Sequence, residues 1–154
     1  MERLTKRYII SSLNNINVNT PIRYERYYIT NNLRIQNKNG ILEKELLNDE
    51  NVLINKIIID LNEFNMFKEQ SYSKIIRESY LYLDDNRVSI KKYFDNYEGL
   101  YRVEVKFSSK EEMDNYQKEN WMGNDITNSL LAFDKDLSKL DREEFLIELD
   151  KYLK

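Results

Sequence analysis

Eight stretches of the chain alternate β-branched or aromatic residues with charged ones, the period-two pattern of a half-buried strand. They are residues 4–11, 23–29, 32–36, 41–47, 53–59, 74–83, 87–94 and 100–107. Asn39-Gly40 supplies a hairpin turn between two of them, and Asp84-Asp85-Asn86 separates two others in the same way. Three stretches carry helical signals instead. Residues 62–68 form a short one. Ser109 opens a second, with Glu112 three positions on as its capping-box partner. Residues 141–153 place Phe145, Leu146, Leu149 and Leu153 on one face. Many strands and few helices predict an α+β chain built on an antiparallel barrel or a highly curved sheet.

Composition narrows the chemistry. The 154 residues suit one domain with a real core, and 3 Gly with 1 Pro leave no flexible linker, so a single domain over residues 1–154 is expected. The chain has no Cys and no His, which removes thiol catalysis, imidazole bases and Cys or His zinc sites. Any metal would be Mg²⁺, Mn²⁺ or Ca²⁺ held by carboxylates and carbonyls. A formal net charge of -3 speaks against binding double-stranded nucleic acid in the usual way, though not against a local basic pocket. No apolar run approaches membrane-spanning length and the first residues begin no signal peptide, so no membrane contact and a cytoplasmic location are expected.

Basic residues recur inside the strand-like runs: Arg34, Lys44, Lys56, Arg77, Lys91 and Lys106. Two readings stand. The cations form a solvated outer face, or they line an interior that only an anionic ligand makes tolerable. The 12 tyrosines are ordinary core and rim residues, or some of them stack on a base. Trp121 is expected to plug one end of the fold or to pack under the last helix, and the acidic run of residues 134–148 to be a solvated helix face.

The C-terminal half carries an ordered set of motifs. Val88-Ser89-Ile90-Lys91-Lys92-Tyr93 is followed by Leu100-Tyr101-Arg102-Val103-Glu104-Val105-Lys106-Phe107. Next come Ser109-Lys110-Glu111-Glu112 and Trp121-Met122-Gly123-Asn124-Asp125-Ile126-Thr127. In order and spacing these resemble the CYTH, or triphosphate tunnel, family, which has Glu-x-Glu-Phe, a Ser-x-Glu-Glu helix and Trp-x-Gly-x-(Glu/Asp)-Val-Thr. Leu33-Arg34-Ile35-Gln36 and Ile75-Ile76-Arg77-Glu78-Ser79-Tyr80 extend the resemblance into the N-terminal half. It implies an eight-stranded antiparallel tunnel with flanking helices. Basic side chains inside it would hold a triphosphate, and carboxylates would hold one or two Mg²⁺ or Mn²⁺ ions.

Carried over residue by residue, the resemblance departs from the family mostly at the carboxylates. The opening Glu pair falls on Arg3 and Thr5 and the following Lys on Arg7; a rival register uses Glu2, Leu4 and Lys6. The central Glu pair falls near Ile54 and Lys56, an Asp falls on Lys91, and of the late pair Glu104 stays while Lys106 replaces its partner. Gln36 and Ser79 replace two arginines. The resemblance thus implies ligand contacts from Arg7, Arg34, Lys44, Lys56, Arg77, Lys91 and Lys106, with Glu104 the one weak metal candidate and no catalytic residue assigned. The expected function is metal-independent binding or sequestration of an anionic small molecule, a nucleotide or polyphosphate, by a pseudoenzyme without cofactor. The alternative is a Mg²⁺- or Mn²⁺-dependent triphosphatase or adenylate cyclase using Glu25, Glu43, Glu45 or Glu78. A third reading is a scaffold for protein contacts.

Overall fold

The computed structural model describes residues 4–153. Its strands are β1 (Thr5–Ile10), β2 (Ile22–Thr30), β3 (Leu33–Lys38), β4 (Ile41–Leu47), β5 (Leu53–Ile58), β6 (Ser73–Leu81), β7 (Val88–Tyr93) and β8 (Tyr101–Lys106). Its helices are α1 (Leu61–Glu69), α2 (Lys110–Asn115), α3 (Asp134–Leu137) and α4 (Arg142–Leu153). The strands form one eight-stranded antiparallel sheet in the order β1-β8-β7-β6-β2-β3-β4-β5, so the α+β expectation holds. Hydrogen bonds do not close the ladder, because β1 and β5 end it. The chain divides into two compact units, Ile22–Arg77 and the remainder on either side of it.

In the unit Ile22–Arg77, successive residues of the strands face opposite ways. Tyr27, Ile35, Ile59 and Phe64 pack together on one face, with Ile29, Leu42 and Phe67 against them. Asp60 caps α1, its Oδ1 accepting from Glu63 N at 2.8 Å. The β3–β4 turn uses Asn39 and Gly40 at φ 49° and 95°, the left-handed pair that a tight hairpin requires.

In the other unit, Tyr8 and Ile10 of β1, Val88 and Ile90 of β7, and Val103 and Val105 of β8 share a core with Met122 and Phe107. Trp121 packs against it with its ring 5.1 Å from that of Tyr82. The segment 123–127 lies along β1: Gly123 N donates to Ile9 O at 2.9 Å, Ile9 N to Asn124 O at 3.0 Å, and Ile126 N to Arg7 O at 2.8 Å. A Cβ on Gly123 would stand 2.3 Å from Ile9 O, so only glycine permits this approach. The family-like Trp121–Thr127 motif thus serves to cover the edge of a terminal strand.

Three helix expectations need correction. Ser109 caps α2 through Glu112 N at 3.1 Å, but the Glu112 carboxylate reaches Ser108 N and Oγ, at 3.1 and 2.6 Å, where a closed capping box would use Ser109 N. On α4, Phe145 and Leu149 are buried while Leu146 and Leu153 are 44% and 47% exposed. The acidic run is not all solvated either. It begins in α3 with Asp134, 8% exposed and bonded by a tyrosine and an arginine.

Candidate anion-binding faces

Each unit presents a polar strand face opposite its core. In Ile22–Arg77, the register sets Arg26 across from Gln36, Arg34 from Glu45, Gln36 from Glu43, and Glu45 from Lys56. The side chains join in the same order. Arg26 Nη2 donates to Gln36 Oε1 at 2.9 Å, and Gln36 Nε2 to Glu43 Oε1 at 2.8 Å. Arg34 Nε donates to Glu45 Oε1 at 2.8 Å, while Lys56 Nζ lies 3.4 Å from Glu45 and 3.8 Å from Glu43. Arg77 sits over the Tyr24 ring at 4.6 Å. Burial pushes the Glu45 carboxyl up, but Arg34, Arg26 and Lys56 outweigh it and hold the group below its ordinary value.

In the other unit the face comprises Thr5 and Arg7 of β1, Ser89 and Lys91 of β7, and Arg102, Glu104 and Lys106 of β8, set by the pairs Arg7↔Glu104, Ser89↔Glu104 and Lys91↔Arg102. Arg7 is 2% exposed, lies 3.6 Å from Glu104, and stacks on the Phe133 ring at 4.3 Å. Arg7 Nη1 also donates to Thr5 Oγ1 at 2.7 Å and Lys91 Nζ to Ser89 Oγ at 2.9 Å. Arg102 is paired with Asp134 at 3.2 Å, and Tyr93 donates its hydroxyl to the same carboxylate at 2.5 Å. Burial raises the Glu104 pKa, yet Lys91, Arg102, Arg7 and Lys106 together hold it below the ordinary 4.5.

Six of the seven anticipated cations thus divide between the faces: Arg34, Lys56 and Arg77 on one, Arg7, Lys91 and Lys106 on the other. Lys44 belongs to neither. Strand alternation puts it on the α1 side, its Nζ 5.4 Å from the Phe67 ring centre. Among the alternative acids, Glu43 and Glu45 lie on the polar face, tied to Gln36, Arg34 and Lys56. Glu25 alternates away from Arg26 and lies near Arg23 at 3.9 Å, and Glu78 accepts from the Tyr80 hydroxyl at 3.2 Å. Glu2 and Arg3 fall outside the described residues. Sequence reasoning overlooked Arg26, Arg102 and Asp134. Arg26 was findable from the alternation Tyr24, Arg26, Tyr28, whereas nothing local marks Asp134 as the partner of a residue 32 positions away.

A divalent ion does not fit this donor set. Glu104 has four cations around it, Asp134 is committed to Arg102 and Tyr93, and Glu43 and Glu45 share Lys56. Among the described residues no group of three or more acidic side chains gathers where a metal could be held.

No family model and no curated protein matches the chain. Two solved structures of NE1496 do match in fold. One, described as a hypothetical protein, is 16% identical at a TM-score of 0.75, over 91% of this chain and 99% of its own. The other, described as the inorganic triphosphatase NE1496, is also 16% identical, at a TM-score of 0.73 over 90% and 95%. At this identity the likeness establishes fold. The chain therefore shares the fold of NE1496, with the eight antiparallel strands that its motif order implies.

Proposed function

We propose that this chain binds a polyphosphate, free or carried by a nucleotide, on its cationic strand faces without a divalent metal. The observation that carries the proposal is the setting of Glu104, whose carboxylate, even with Asp134 counted against Arg102, is outnumbered by Arg7, Lys91, Arg102 and Lys106. Such a face keeps a positive surplus on its own floor, and multivalent phosphate is the ligand that relieves it. Here Lys91 and Lys106 supply charge where the resemblance implies metal-holding carboxylates. The fold shared with an inorganic triphosphatase supports polyphosphate as the ligand class. It also supports a second reading, a triphosphate hydrolase, which the poor fit of the donor set to a divalent ion weighs against.

Calorimetric titration with tripolyphosphate, ATP and a panel of linear and cyclic nucleotides, in EDTA and in Mg²⁺, separates the two. Binding that persists in EDTA with no phosphate released is the expected result. Arg7→Gln should weaken it about tenfold or more, as losing a charge-assisted contact does. Lys44→Ala should leave it within about twofold, because that side chain stands on the other face. Binding only with Mg²⁺, with turnover of about 1 s⁻¹ or faster, would establish the hydrolase instead.

A further inference from the structure

A cavity of about 370 Å³ opens at the end of β1, beneath the C-terminus of α4, and takes no part in either cationic face. Its size is at the lower end of small-molecule pockets, roughly 300–1,000 Å³. Its walls are preformed. The segment after β1 is held by Ile16 N donating to Leu13 O at 3.1 Å and Asn17 Nδ2 to Asp84 Oδ1 at 3.1 Å. Asn124 Nδ2 ties the roof by donating to Tyr152 O at 2.6 Å, and the Gly123–Ile9 hydrogen bond ties the floor. Trp121 is fixed from behind by Tyr82, whose hydroxyl donates to Glu119 at 3.0 Å.

The lining decides the ligand class. Ile16, Trp121 and Leu153 give it an apolar aspect, Ser11, Ser12 and Asn14 a hydrogen-bonding one, and none of the described lining residues is charged. The described lining itself offers an anion no charged side chain, in contrast to the strand faces, and the nearby Lys118 ammonium is taken up by Gly123 O at 2.7 Å. An uncharged heteroaromatic ring suits both aspects: its face packs on indole and aliphatic surface, and its edge pairs with an amide that both donates and accepts. We infer that this cavity is a second binding site, for an uncharged nucleobase or nucleoside. The inference stands apart from the polyphosphate proposal and shares no residue with it.

Trp121 is the only tryptophan of the chain, so its fluorescence reports on this cavity. Titration of the full chain with adenosine, guanosine, cytidine and uridine should give a saturable change for at least one, and its 5′-monophosphate should bind about tenfold more weakly. Asn14→Ala should weaken the nucleoside about fivefold. Leu153→Asp, at a half-exposed position that tolerates polarity, should weaken it at least as much with the melting temperature unchanged. The inference is overturned by no saturable response up to about 10 mM, a dissociation constant weaker than any specific site warrants. It is equally overturned by saturation with glucose instead, by competition from tripolyphosphate, or by both variants binding as the parent does.

Discussion

Glu104 shows how far one side chain can carry an argument about function. Its 12% exposed carboxylate lies beside Arg7 and within the field of three further cations. Because its folded pKa is depressed, its stabilising contribution is fully present above the ordinary 4.5 and is lost as pH falls from there through the folded value. Glu45 behaves alike for the same reason. The urea midpoint should therefore decline below about pH 4.5, and less steeply in Glu104→Gln, which has nothing there to titrate. At neutral pH that variant should lose about 1–3 kcal/mol, since the buried ion pair with Arg7 is removed. It should nonetheless bind tripolyphosphate as tightly as the parent or more so. Loss of binding in a folded Glu104→Gln would mean that the carboxylate serves a metal after all.

The strands differ sharply in how much packing decides their residues. β3 contributes Ile35, fully buried within the α1 core, whereas every residue of β5 is exposed, Ile54 by 64% and Ile58 by 77%. Ile35→Ala should cost about 2–5 kcal/mol and Ile58→Thr less than about 0.5 kcal/mol, measured by urea denaturation. The period-two pattern found both strands equally well, because alternation reports on backbone conformation and local chemistry. It could not tell them apart, because burial depends on what lies across the strand. The same limit explains Lys44. Arg34, Lys44 and Lys56 look alike as basic residues in strands, and only the register Arg34↔Glu45 and Glu45↔Lys56 puts two of them on one face and the third on the other.

At the scale of the whole chain, long-range polar contacts carry what local pattern cannot show. Asp134 in α3 receives both Arg102 of β8 and the Tyr93 hydroxyl of β7, all within one unit and all nearly buried. Asp134→Ala removes the carboxylate of a buried ion pair with Arg102 and should cost about 3–5 kcal/mol, whereas Asp134→Asn keeps part of the hydrogen bonding and should cost less. Equal costs for the two would remove the electrostatic explanation.

Much was legible in the linear sequence: eight strands, three of four helices, the Asn39-Gly40 turn, the order of the CYTH-like motifs and a surplus of strand cations. These follow from alternation, capping chemistry and turn residues, which are properties of neighbouring positions. The tertiary structure alone decided which cations share a face, that Asp134 is a buried partner and not a solvated acid, and that the Trp121–Thr127 motif covers β1. It also placed Trp121 beside a cavity whose described lining is uncharged. Each of these depends on strand register or on contacts between residues far apart in sequence. A one-residue shift in register reverses every side chain's face without changing the pattern from which the strand is read.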